Sequence, residues 1–170
     1  MPEKRRRYFL KTKEAKTVLQ KASDRLKTDI TTFFKDRLDV EVFQTETDLI
    51  YLINGRPVLV EAGGVVYPTL KFDEYFSRAP RVVVDMGAVP YVCKGANVMA
   101  PGIRRIEGQF DKNDIVFVVD EKHGKPLALG EILYDANDAG NVKQGIVVKN
   151  LYHVGDDTWN LLKELTSMAH

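Results

Sequence analysis

The chain has 170 residues, 44% hydrophobic and 29% charged, which supplies a buried core and excludes a disordered or collagen-like polymer. No apolar run approaches the ~18–20 residues of a transmembrane helix, and MPEKRRRYFL has a basic cluster without the apolar stretch of a secretory signal, so a soluble, cytoplasmic protein with no membrane partner is expected. A lone cysteine, Cys93, excludes an internal disulfide and any zinc site built from cysteines alone, and suits a reducing compartment.

The formal net charge of +1 conceals an asymmetry. Residues 1–37 hold twelve Lys/Arg and five Asp/Glu, a net +7, whereas the rest holds thirteen against nineteen, a net −6. A basic segment of that size fits a polyanionic partner, and equally a solvated helix face with a frayed tail.

In chain order, Thr12 is placed to cap a first helix whose Ala15, Val18, Leu19, Ala22 and Leu26 fall on one helical stripe. Thr28 or Asp29 is placed to cap a second, with Ile30, Phe33, Phe34 and Leu38 at the same spacing. Strand-like runs follow at 40–43, 49–53, 58–61 and 65–67, and Asn54-Gly55 between the second and third is a strong hairpin signal. Pro57 lacks an N–H, so the third run is expected to start late or lie at an edge. After Pro80 the helical period fades and apolar runs recur at 81–84, 115–119, 127–134 and 145–149. Seven of the twelve glycines fall between Gly87 and Gly140, leaving room for only one short helix, near 88–94. Short strands at this spacing predict a small barrel. A final helix is expected from about Asp157 to Leu165, capped by Asp156 or Asp157, with Trp159, Leu162 and Leu165 on one face. The fold class is therefore α+β: an N-terminal domain of helices on an antiparallel sheet (1–79), a small β-rich barrel (80–155) and a C-terminal helix (156–170).

Catalytic grammar is sparse. His123, His153 and His170 form no H-x-x-x-H pair and lie at no zinc-ligand spacing from Cys93. The phosphate-binding G-x-x-x-x-G-K-[ST], the dinucleotide-binding G-x-G-x-x-G and the nucleophile elbow G-x-S-x-G are all missing. Asp111/Asp114 and Asp135/Asp138 sit beside turn residues, and Cys93 has the apolar neighbours of a packed thiol. No catalytic residue, metal or cofactor is expected.

The segment DMGAVPYVCKGANVMAPGI, residues 85–103, carries the better lead. Asp85 can cap a short helix, Gly87 can admit a second backbone, Gly95 can close the helix in the left-handed region, and Pro101-Gly102 can turn the chain. Lys94, Arg104 and Arg105 flank this path. The result is either a tight turn of a barrel or a backbone ledge able to hydrogen-bond phosphates and base edges. The glycines fit both readings.

This pattern resembles the PUA domain, named for pseudouridine synthases and archaeosine transglycosylases. The resemblance runs from the strand ending in Asp85 through Gly87-Ala88, Gly95-Ala96-Asn97-Val98, Pro101-Gly102-Ile103, Phe110, the 114–119 strand, Gly130 and Gly145-Ile146-Val147-Val148. Asn113 stands where many PUA domains have glycine, and asparagine also tolerates the left-handed region. Val66-Tyr67-Pro68-Thr69-Leu70 and the ending Tyr152-His153, Gly155-Asp156 and Trp159 resemble the malignant T-cell-amplified sequence 1 family, which usually reads His-Tyr at the position of Tyr152-His153. The resemblance implies a pseudo-barrel PUA domain in a non-catalytic RNA-binding protein that engages RNA (tRNA or rRNA), as tRNA and/or the small ribosomal subunit, during initiation, re-initiation or recycling. It also implies a translation-factor protein partner, since members of the family act with a density-regulated-protein partner or within a ligatin-type factor. It implies an RNA groove lined by Gly87, Ala88, Lys94, Gly95, Ala96, Met99, Ala100, Pro101 and Gly102; Arg104 and Arg105 join it by charge and proximity. The alternatives are an accessory subunit that targets a tRNA or rRNA modification enzyme and, more remotely, a stand-alone enzyme built from scattered Asp, His and Cys93.

Overall fold

A computed structural model describes residues 6–168. It divides into two compact units, one of residues up to Tyr75 with those from Leu162 onward, the other Phe76–Leu161. No helix among the described residues is long and apolar enough to cross a membrane.

The first unit opens on β1 (Arg6–Phe9), a strand the sequence reading did not anticipate. All four residues are exposed, so the strand has no apolar alternation to betray it. The helix α1 (Thr12–Leu26) follows with the expected stripe, burying Ala15, Val18, Leu19, Ala22 and Leu26, but Thr12 is not its cap: it is the first helical residue, and Lys11 stands at the N-cap with no side-chain cap bond. Lys27 closes it in the left-handed region at φ 55°, and Thr28 N–H returns to Ser23 O (3.1 Å).

The expected second helix is a single 3-10 turn, Ile30–Phe33. Asp29 does cap it, accepting the Thr31 N–H at 3.1 Å, but Thr31 Oγ1 also donates to Asp29 Oδ1 (2.6 Å) and Thr32 Oγ1 to Asp29 O (2.8 Å). These short side-chain bonds compete with helical pairing, and Ile-Thr-Thr is a poor helix former. Its apolar residues still pack: Ile30 is buried, and Phe33 and Phe34 lie against Phe72 with ring centroids 5.7 and 6.0 Å away.

The strands β2 (Val40–Gln44), β3 (Leu49–Ile53), β4 (Arg56–Ala62) and β5 (Val65–Pro68) complete an antiparallel sheet in the order β1-β2-β3-β4-β5. Asn54 (φ 51°) and Gly55 (φ 85°) make the expected hairpin turn. Pro57 overturns an expectation: β4 starts before it and lies inside the sheet. The proline is accommodated opposite Leu52, where the β3–β4 register shifts, and its carbonyl accepts the Thr69 hydroxyl at 2.8 Å. A short helix, α2 (Asp73–Phe76), leads out of the sheet.

The second unit is a six-stranded sheet of β6 (Arg81–Val84), β7 (Val98–Met99), β8 (Ile103–Glu107), β9 (Ile115–Asp120), β10 (Pro126–Ile132) and β11 (Ile146–His153), in the order β7-β11-β10-β9-β6-β8. Only β6 and β9 pair in parallel. The edge strands β7 and β8 are joined by three residues, Ala100–Gly102, so the sheet must curl until its edges almost meet. That is the pseudo-barrel expected from the sequence. Its interior holds Val82, Val84, Val116, Val118, Ala128 and Val148, all fully buried. Gly130 faces a bulge in β11, where Leu151 is the extra residue between Asn150 and Tyr152, and the two strands pass very close: a Cβ there would lie 2.2 Å from Val148 Cγ1 and 2.8 Å from Lys149 O. Asn113 adopts the left-handed conformation at φ 74°. Two short helices, α3 (Val89–Val92) and α4 (Ala136–Ala139), lie in the connections. The last helix, α5 (Asp157–Met168), begins where Asp156 accepts the Trp159 N–H at 2.7 Å.

Candidate functional site

The 85–103 segment forms the seam of the curled sheet. The Asp85 carboxylate accepts the Ala88 N–H at 2.8 Å and closes the turn that leads into α3; it is not the helix cap expected, since Ala88 stands at the N-cap with no side-chain cap bond. Gly87 admits no second backbone; the nearest atom to a Cβ there is Asp85 Oδ1 at 3.3 Å, so the glycine makes room for that carboxylate. The close approach lies instead at Gly102, whose Cβ would meet Ala88 Cβ at 3.3 Å.

Gly95 closes α3 at φ 95° and donates to Val92 O at 3.0 Å. Asn150 on β11 then pins the exit from below. Its side-chain amide donates to Val92 O (3.1 Å) and Ala96 O (3.0 Å), and its backbone N–H donates to Asn97 Oδ1 (2.9 Å). His153 lies against Gly95, with Nε2 3.3 Å from the position a Cβ would take. Its Nδ1 is 3.0 Å from Val154 O, and a carbonyl can only accept, so Nδ1 carries a proton. The Ala100–Gly102 turn is tied at both ends: Ala100 N–H donates to Gly145 O (2.9 Å), and Gly102 O accepts from Asp85 N–H (3.0 Å).

Of the residues expected at the groove, Ala100, Pro101, Arg104 and Arg105 line one cleft of about 410 Å³, completed by Phe110, α4 and Lys143. Gly87, Lys94, Gly95, Ala96 and Met99 are exposed beside the seam but do not line that cleft, and Ala88 and Gly102 are half-buried beneath it. Arg104 is the unpaired residue where β8 slips against β6, between Ile103 opposite Val84 and Arg105 opposite Val83. A bulge there lets two consecutive arginines face outward. Arg104 pairs with Glu121 (2.9 Å) and Arg105 with Glu107 (2.7 Å), at side-chain exposures of 61% and 60%. Ion pairs so exposed are worth ~1 kcal/mol or less, so a phosphate can displace either carboxylate.

Sequence reasoning missed Lys143, Asn97, Asn150 and His153. Asn97 and His153 stood in the motifs that carry the resemblance without a site role, and Asn150 left a trace of its own: an amide inside the strand VVKNLYH is out of place by strand preference.

Catalytic candidates are not assembled here. Among the described residues no three His, Cys, Asp or Glu side chains gather as a metal site would require. Cys93 packs against the barrel core, and burial pushes its thiol pKa up, lowering the thiolate fraction. Asp111/Asp114 and Asp135 serve turns: Asp114 Oδ2 accepts the Asp111 N–H and Asp135 Oδ1 the Lys112 N–H, at 2.8 and 2.7 Å.

Two family models match the chain: the PUA domain over residues 80–154 and a domain of unknown function, DUF1947, over residues 6–73. An uncharacterized protein of Methanocaldococcus jannaschii is 34% identical over 168 residues, covering 93% of this chain and 98% of that protein. Translation machinery-associated protein 20 of Saccharomyces cerevisiae is 29% identical over 133 residues, 74% of each chain. The malignant T-cell-amplified sequence 1 homolog of Dictyostelium discoideum is 30% identical over 121 residues, 68% of this chain and 66% of that protein. Among solved structures, a PUA-domain protein from Aeropyrum pernix K1, crystallised as a tartrate complex, superposes with a TM-score of 0.84 at 25% identity, covering 96% of this chain and 94% of that one. Both halves of the chain match in the expected order, and the chain belongs to the family of PUA-domain proteins that includes translation machinery-associated protein 20 and malignant T-cell-amplified sequence 1.

Proposed function

We propose that this chain is a non-catalytic, cytoplasmic RNA-binding protein that engages tRNA or the small ribosomal subunit in translation initiation, re-initiation or recycling. The observation that carries the reading is the seam of the PUA domain. There the exposed Lys94–Ala96 backbone and the Ala100–Gly102 turn border a cleft flanked by Arg104, Arg105 and Lys143. Backbone groups offer hydrogen bonds to an RNA end or stem, and the cations supply its phosphates with counter-charge. The names of the eukaryotic relatives, translation machinery-associated protein 20 among them, support the translational setting.

The test is binding of fluorescently labelled bulk tRNA, and of purified small ribosomal subunits, across a salt series. If Lys94, Arg104, Arg105 and Lys143 each meet one phosphate, the logarithmic salt slope is about −3, and affinity falls about fifty-fold between 50 and 200 mM salt. Lys94→Glu combined with Arg104→Glu should weaken binding while leaving the melting temperature nearly unchanged. Failure of both tRNA and subunits to associate at low salt overturns the reading. Co-purification with an RNA-modification enzyme in place of ribosomal subunits would replace it with a targeting role.

A further inference from the structure

The N-terminal sheet leaves one edge unusually open. β1 pairs with β2 alone, and among the described residues no strand lies beyond it. Leu10 N–H donates to Val40 O at 2.9 Å, which fixes the phase of the ladder: Leu10, Tyr8 and Arg6 exchange bonds with β2. The N–H and C=O groups of Arg7 and Phe9 therefore face away from the sheet. Sheet edges of this kind are templates for another strand unless bulges, proline or a covering element blunt them. Among the described residues of this edge there is no bulge or proline, and its charges are Arg6 and Arg7, the latter paired with Glu41.

The side chains along this edge divide by face. Arg6 and Tyr8 share one, with the Arg6 guanidinium 5.7 Å from the Tyr8 ring centroid. Arg7 and Phe9 share the other, where Arg7 bonds Glu41 at 2.6 Å. Phe9 is 68% exposed, an uncommon state for a phenylalanine inside a strand. It borders a cavity of about 590 Å³ whose apolar lining includes Leu10, Leu19 and Leu38, with Lys16, Arg37 and Asp39 as its charged residues, Arg37 lying 3.3 Å from Asp39. That volume accommodates a large aliphatic or aromatic side chain.

We propose that the open edge of β1 is a docking site for an extended acidic segment of a partner protein, added to the sheet as a sixth strand with one apolar side chain seated in the cavity beside Phe9. Charge complementarity selects this occupant. Residues 1–37 carry a net +7, so a second copy of the chain would bring two such segments edge to edge. A single-stranded RNA would satisfy the charge but not the alternating N–H and C=O groups of Arg7 and Phe9, nor an apolar cavity. The period of two predicts the recognised pattern: an acidic residue beside Arg7, and an apolar one two positions along beside Phe9. This surface is independent of the RNA seam.

The test is selection of a random twelve-residue peptide library displayed on phage against the full chain, followed by fluorescence anisotropy of the enriched peptides. Sequences with an acidic residue two positions from an apolar one should be enriched. Their affinity should fall at least tenfold with Phe9→Ser and severalfold with Arg7→Gln, and be unaffected by Lys94→Glu with Arg104→Glu. The exposure of Phe9 means that Phe9→Ser should melt close to the parent, which separates lost docking from lost folding. The proposal is overturned if no such pattern is enriched, or if the enriched peptides bind Phe9→Ser undiminished. It is overturned equally if Phe9→Ser abolishes binding of a twelve-nucleotide oligouridylate, or if it converts a sedimenting dimer to a monomer.

Discussion

Asn150→Ala is the sharpest probe of the seam. The amide of Asn150 holds both ends of the α3 exit, at Val92 O and Ala96 O, from 58 and 54 positions away in sequence. Truncation deletes two hydrogen bonds but leaves no carbonyl stranded: Val92 O keeps the Gly95 N–H at 3.0 Å, and Ala96 is exposed to water. At about 1 kcal/mol net for each bond, the loss is about 2 kcal/mol. With a urea slope of roughly 2 kcal/mol per molar, the midpoint should drop by about 1 M. The single tryptophan, Trp159, lies in the same compact unit as Asn150, so its fluorescence follows the relevant transition. Asn150→Asp decides between hydrogen bonding and mere packing. It keeps the shape, but it turns a donor into an acceptor facing two carbonyl oxygens, and should cost about 3 kcal/mol, more than alanine does. An alanine variant that unfolds with the parent, or an aspartate variant more stable than the alanine one, would refute the reasoning.

Gly130→Ala should destabilise the barrel by roughly 3 kcal/mol in the same urea assay, because its Cβ would strike Val148 Cγ1 and Lys149 O. Adding Val148→Ala should restore only part of this, since the backbone contact at 2.8 Å remains; full restoration would show that the side chain alone sets the limit. In the first unit, Arg56 binds Glu74 through two bonds of 2.8 and 2.7 Å, and this lowers the Glu74 pKa from its ordinary value of 4.5. A depressed carboxylate contributes stability above its unfolded pKa and loses it as pH falls through the folded one. The deficit of Arg56→Ala, no more than about 1 kcal/mol for so exposed a pair, should therefore be constant near neutrality and vanish in acid; a deficit that grows on acidification contradicts the assignment. Cys93→Ala should leave tRNA binding unchanged in the anisotropy assay, and loss of binding with the fold intact would return the thiol to the functional site.

The parts of this protein that were legible in its sequence are those governed by local rules. The α1 stripe, the Asn54-Gly55 turn and the closure of α3 at Gly95 each depend on residues within about four positions of one another, and each stands where it was expected. Ile30, Phe33 and Phe34 had helical spacing too, but the hydroxyls of Thr31 and Thr32 took the bonds a helix would need, and spacing cannot report that competition. β1 and β8 escaped notice because RRYF is exposed throughout and the β8 sequence IRRIE carries a bulge at Arg104, so neither shows a period of two. Pro57 was misplaced because the rule that sends proline to an edge does not see a compensating bulge in its own strand, where Val58 is the extra residue between Pro57 and Leu59. In the seam, glycines and prolines announced the turns, whereas Asn150 and His153 reach it through strand pairing across more than fifty residues. No local pattern encodes a partner so distant.

The central claim is that RNA lies along the 85–105 seam. Ultraviolet crosslinking in cells, with sequencing of the attached RNA and mass spectrometry of the attached peptides, tests it most directly. The account predicts tRNA or small-subunit rRNA joined to peptides containing Lys94–Gly102 or Arg104-Arg105. Absence of RNA, or crosslinks confined to peptides outside the PUA domain, would contradict it.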